Sequence, residues 1–165
     1  MTRLTHIATF LLIALTLALS ACSNDSCYGN GSSLPLATLY MGNRQQSIPG
    51  LAIIGINAPG DSVLAQSSSI DEVYLPLRAS VSQTSFALSR TTTVNTTTVI
   101  IQDTLTLDYK VVPYFLPAEC GAMDNFDINN VSHTCHGIDS VVVLTPLVTN
   151  ARVPALRIHF TDFSQ

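Results

Sequence analysis

Residues 104–111 read Thr-Leu-Thr-Leu-Asp-Tyr-Lys-Val, and their alternation decides the fold class. Side chains on a strand project to opposite faces in turn. Leu105, Leu107, Tyr109 and Val111 therefore share one face, and Thr104, Thr106, Asp108 and Lys110 the other. The same period of two recurs in both directions along the chain. Residues 84–90 put Phe86 and Leu88 on one face, and residues 72–78 do the same with Val73, Leu75 and Leu77. In 155–161, Leu156, Ile158 and Phe160 oppose Arg157, His159 and Thr161. Residues 51–56 and 138–148 are apolar on both faces, as strands in the middle of a sandwich are, with Pro146 predicted to end or bulge the second. Residues 91–101, then Gln102-Asp103, then 104–111 predict a hairpin. Pro49-Gly50, Pro59-Gly60-Asp61, Pro113, Pro117 and Gly137 punctuate the rest. Ser67-Ser68-Ser69 predicts an exposed loop or a short helical turn. No sustained 3.6-residue apolar period follows the leader, so the prediction is an all-β fold: an antiparallel β-sandwich, immunoglobulin-like or Greek-key.

Composition agrees and removes several function classes. The chain has 165 residues with a formal net charge of -4, and only 11% of its residues are charged. A nucleic-acid binder needs a dense basic surface to displace counterions, and this chain lacks the residues for one. A basic patch holding anionic lipids is excluded on the same ground. Seventeen serines and eighteen threonines, with no tryptophan, suit an extracytoplasmic β protein better than a cytosolic enzyme.

The N-terminus carries a different kind of information. Ile7–Leu19 is an uncharged apolar run of thirteen residues preceded by Arg3. A helix needs about 20 apolar residues to span a bilayer core, so this run reads as the apolar region of an export signal. It ends in Leu19-Ser20-Ala21-Cys22, which resembles the bacterial lipobox: a branched apolar residue, two small ones, then cysteine. Small residues fit the signal peptidase cleft, and the thiol of Cys22 takes up diacylglycerol before cleavage frees the amino group for acylation. Several acyl chains at ~0.8 kcal/mol per buried CH₂ give stable anchoring where one chain is marginal. The expected organisation is a signal peptide over 1–21, a lipidated tether over 22–33 and one sandwich domain over 34–165. Ser23 follows Cys22 where the inner-membrane retention signal of enteric bacteria has aspartate, which favours the outer membrane.

Further motifs carry a family resemblance. They are Cys22-x₄-Cys27, Pro35-Leu36-Ala37-Thr38-Leu39-Tyr40 as a first strand, and Val73-Tyr74-Leu75-Pro76-Leu77. Asp103 to Tyr109, Pro113-Tyr114-Phe115 and Glu119-Cys120-Gly121 follow. Together they resemble a family of small lipoproteins of unknown function from the Bacteroidota. The resemblance implies no activity, and Cys135 with its flanking histidines departs from its pattern.

With Cys22 lipidated, three cysteines remain in an oxidising compartment. A Cys27–Cys120 disulfide would close a long loop, about 4–5 kcal/mol in chain-entropy terms, and leave Cys135 free. The alternative, Cys120–Cys135, would close a short loop, about 3 kcal/mol. Gly121 after Cys120 predicts a sharp turn. His133-Thr134-Cys135-His136 offers soft ligands but has no regular zinc spacing, and Ser132 stands where a haem attachment site needs cysteine, so no metal or other cofactor is predicted. No G-x-S-x-G elbow and no paired-carboxylate motif occurs, His159 sits on a polar strand face, and no catalytic residue is predicted. Asp124-Asn125 and Asp127-Ile128-Asn129-Asn130 read as Asx-rich turns. Ser62, Thr104 and Ser140 each follow Asp and precede an apolar residue, which looks like the O-glycosylation acceptor of Bacteroidota envelope proteins. The expectation is a non-enzymatic, outer-membrane-anchored envelope lipoprotein, held by its lipid and serving as a structural or protein-interaction module. The alternative is a ligand- or glycan-binding accessory lipoprotein. Absence of tryptophan weighs against a sugar-stacking platform.

Overall fold

A computed structural model gives the arrangement of residues 33–59, 62–94, 96–115 and 121–163. Cys22, Cys27 and Cys120, and with them the signal, the lipidation site and both ends of the expected disulfide, lie outside the described residues. Everything below belongs to the unit Gly31–Gln165.

Every element among the described residues is a strand. In chain order these are β1 (Leu36–Met41), β2 (Arg44–Gln45), β3 (Ile48–Gly55), β4 (Val63–Ile70), β5 (Glu72–Tyr74) and β6 (Gln83–Val94). They continue as β7 (Thr97–Phe115), β8 (Ala122–His133), β9 (Ile138–Val143), β10 (Leu147–Val148) and β11 (Pro154–Phe160). Six of them form an antiparallel sheet in the order β10-β8-β7-β6-β3-β4. The other sheet runs β2-β1-β11-β9, with β5 also pairing to β1. The all-β sandwich is thus what the alternation predicted. One pair departs from the antiparallel expectation: β1 and β11 run parallel, from Leu36 opposite Pro154 to Met41 opposite Phe160. More than a hundred residues of other strands separate them, so no tight turn forces the two ends of the domain to run in opposite directions.

The inward positions of 104–111 form the middle of the core. Leu105 and Leu107 are fully buried, and Tyr109 is nearly so. They pack with Phe86 and Leu88 of β6, Leu39 of β1 and Leu156 and Ile158 of β11. The outward positions of the large sheet carry short polar side chains. Ser85 and Thr106 share a hydrogen bond there, and Gln83 and Asn130 donate to the two oxygens of Asp108 at 2.6 and 3.0 Å.

Four readings are corrected. The hairpin reverses between Val94 and Thr97, which pair with each other, and Thr96 adopts φ 69; Gln102-Asp103 lies inside β7. The Asx-rich segment is a strand, β8. Its period slips once, between Asp108 and Tyr109 of the partner, where Asn129 is left over. That β-bulge lets Ile128 and Val131 both face the core although they are three residues apart. Residues 67–69 belong to β4 and form neither a loop nor a helical turn. Residues 138–148 are no central strand: β9 is the edge of one sheet and β10 the edge of the other, and Pro146 sits on the crossover between them. The Pro146 carbonyl accepts the Ile128 amide at 2.9 Å.

Ile158 is fully buried where β11 meets the facing sheet. Replacing it by alanine leaves a cavity, so Ile158→Ala should lower the unfolding free energy by about 3 kcal/mol in urea denaturation, with the slope unchanged.

Candidate functional site

Tyr109 organises one end of the sandwich. β7 directs its ring into the core, where it meets Phe126 edge-on at 5.4 Å. Its hydroxyl donates to the Arg78 carbonyl at 2.8 Å and accepts the Arg78 amide at 3.1 Å. Its single proton being committed, Thr84 Oγ1 is the donor in the third bond, at 2.7 Å. These bonds pin residues 75–78, which follow β5 and leave the small sheet for β6. The 72–78 strand predicted from alternation is cut short at Tyr74 by this crossing, with Leu75 buried and its amide bonded to Pro35.

The pinned crossing forms one wall of a cavity of about 260 Å³. Ile56, Leu64, Leu77 and Phe86 give it apolar walls, and Arg78, Ser62 and Thr84 are its polar residues. The Arg78 guanidinium makes two long bonds, to the Asn57 carbonyl at 3.3 Å and the Gln83 carbonyl at 3.4 Å. Its Nε is buried without a partner, and it has no ion pair among the described residues.

At the other end of β7's core segment lies Asp103, an inward carboxylate only 3% exposed. One oxygen accepts Thr134 Oγ1 at 2.6 Å and the His136 amide at 2.8 Å, with His136 Nδ1 at 3.2 Å. The other accepts the Gly137 and Ile138 amides at 2.7 and 2.9 Å. Burial pushes its pKa up, but the bonds from Thr134, His136, Gly137 and Ile138 outweigh burial and hold it below the ordinary aspartate value. The 134–138 loop is thus wrapped around a buried anion. Gly137 fits closely in it: a Cβ there would lie 2.8 Å from Ile101 Cγ2 and 3.3 Å from Asp103 Oδ2, so the Ile101 side chain would have to shift to admit one.

A family model described as "Family of unknown function (DUF6452)" matches residues 50–160. The chain belongs to DUF6452. Its match reaches from Gly50 in β3 to Phe160 at the end of β11, and so contains the cavity, Tyr109 and the Asp103 loop. No curated protein and no solved structure matches the chain. Membership of DUF6452 carries no assigned activity, so what the site does rests on its geometry.

The residues singled out from sequence fall in several places. Cys135 is an exposed free thiol, 3.8 Å from His133 Nδ1, which also lies 2.9 Å from the Thr134 carbonyl. Among the described residues no group of three or more His, Cys, Asp or Glu is placed to hold a metal ion. His159 contacts the Gly42 carbonyl at 3.0 Å and lies against Tyr40, whose ring also faces the Arg157 guanidinium at 4.9 Å. Ser62 is exposed at the cavity, and Ser140 is half-buried on edge strand β9 behind an exposed Asp139. Thr104 differs, because the aspartate before it is the buried Asp103. Gly121 adopts φ 78, as the predicted turn requires. Sequence reasoning did not single out Arg78 or Tyr109 as site residues, nor Arg90, which is 7% exposed and bonds the Thr161 carbonyl at 2.9 Å.

The Asp103 carboxylate should be a stability determinant with a defined pH signature. Asp103→Asn would turn an amide NH₂ toward existing donors and should cost roughly 3 kcal/mol. Because the folded pKa is lowered, the wild-type advantage should be complete above the unfolded value near 3.9 and vanish as pH falls through the folded pKa. Urea midpoints of both proteins from pH 7 to pH 2 check this: the two curves should converge at the acid end, and a constant gap would contradict it.

Proposed function

We propose that this member of DUF6452 is a non-enzymatic envelope lipoprotein, anchored in the outer membrane through acylated Cys22, whose sandwich works as a protein-interaction module. Supporting the anchor are the short apolar run and Leu19-Ser20-Ala21-Cys22. A Cys27–Cys120 disulfide belongs to the same reading, with the exposed thiol of Cys135 left outside it.

The observation that carries the interaction reading is the far end of the β7–β8 ribbon. Tyr114 and Phe115 are 51% and 80% exposed there, opposite Met123 and Ala122. As consecutive strand residues they present one ring on each face of the ribbon, and exposed aromatic rings are side chains that anchor protein interfaces. The exposed Asp124 of β8, opposite Pro113, is a polar group next to them.

A photo-cross-linking residue at Phe115 in the native host should give a discrete protein adduct, while one at Gln102, on the outer face of β7, should give none. Cys22→Ala should leave an uncleaved precursor outside the detergent phase and abolish the adduct. Equal labelling at both positions, or none at Phe115, would refute the interaction module. Normal processing of the Cys22 variant would refute the anchor.

A further inference from the structure

The cavity beside Arg78 has features that packing alone does not explain, and we infer that it is a binding site for a small aliphatic carboxylate. This inference stands apart from the ribbon tip and does not depend on it.

Three observations identify the ligand's chemistry. The first is the walls. Ile56, Leu64, Leu77 and Phe86 offer no hydrogen-bonding side chain, so they suit a hydrocarbon body and not a sugar or nucleotide, whose polar edges would be stranded. The second is size. At about 260 Å³ the cavity falls below the roughly 300–1,000 Å³ of drug-sized sites, which admits a short branched or linear chain and excludes a full membrane acyl chain.

The third is the unmet capacity of Arg78. A guanidinium has five N–H donors in a fixed fork. Two are spent on long bonds to carbonyls, and the buried Nε has no partner among the described residues. Arg90 and Arg157 also carry an unpartnered Nε, but at each of them an aromatic ring covers the guanidinium, Phe163 at 5.8 Å and Tyr40 at 4.9 Å. Arg78 borders the cavity instead. A carboxylate accepts two parallel N–H bonds from such a fork. The Tyr109 hydroxyl fixes the Arg78 backbone from both its amide and its carbonyl, so the base of this side chain is positioned before any ligand arrives.

Hexanoate, hexanamide and acetate separate the contributions of head and tail. The full chain in lipid nanodiscs is titrated with each while the amide resonances of Leu64, Leu77, Arg78 and Phe86 are followed. Hexanoate should shift them saturably, with hexanamide and acetate roughly tenfold weaker or more. Arg78→Gln should weaken hexanoate by a similar factor, and Arg78→Lys should recover part of it. Ser62→Trp fills the exposed side of the cavity without altering Arg78 and should block hexanoate too, which keeps the test valid if the Arg78 variants fold poorly. Hexanamide binding as tightly as hexanoate, unchanged binding in Ser62→Trp, or no saturable shift with hexanoate would each overturn the site. None of these results bears on cross-linking at Phe115, so the two readings fail separately.

Discussion

Alternation along β7 forces a carboxylate and a phenol into the sandwich with the leucines between them, and most of the irregular structure exists to answer those two groups. Asp103, Leu105, Leu107 and Tyr109 share a face by the geometry of the strand. A buried carboxylate without partners would be expensive, so the 134–138 loop supplies three backbone amides and a hydroxyl to it. A buried phenol would leave its oxygen unpaired, so the 75–78 crossing comes in over Tyr109. The loop that carries Cys135 and the arginine beside the cavity are both placed by the polar inward residues of one strand.

Strands whose apolar residues keep strict step were legible in the sequence, and those that slip were not. β6 and the central part of β7 obey a period of two throughout, and β11 buries every second residue from Leu156 to Phe160, which is the part the alternation reads. β8 has Ile128 and Val131 three apart, a spacing that looks like a turn until the bulge at Asn129 restores both to the core. β3 does the same through Pro49-Gly50, with φ 67 at the glycine, so its start at Ile48 was hidden behind an apparent turn. The hairpin was misplaced because Asp103 looks like a turn residue, and only its three amide donors and one hydroxyl donor show that it can be buried. Nothing in the local sequence of Arg78 marks it, since its role comes from a hydroxyl 31 residues away.

Charge is used sparingly and with care. Arg90, mostly buried, is held less basic by desolvation, partly offset by Asp162, and its guanidinium bonds the chain just beyond β11. The outward-facing Asp108 is held more acidic by Gln83 and then Asn130 on neighbouring strands, which ties three outward positions of the large sheet into one polar row. Arg152 and Glu72 pair across the small sheet's margin. Surface pairs of this kind contribute little on their own. The buried aspartate and arginine matter more, because each secures a segment that regular strand pairing does not hold.

The parallel pairing of the first and last strands has a mechanical consequence. β1 and β11 point the same way, so the chain enters this pair at one end of the ladder and leaves it at the other. Tension applied between residues 36 and 160 slides one strand along its neighbour, and every backbone bond between them bears the load together. A hairpin pulled apart from its open end instead loses its bonds one at a time. A domain secured on its N-terminal side and tugged on its C-terminal side is therefore loaded in shear, at a ladder flanked by the fully buried Leu39 and Ile158.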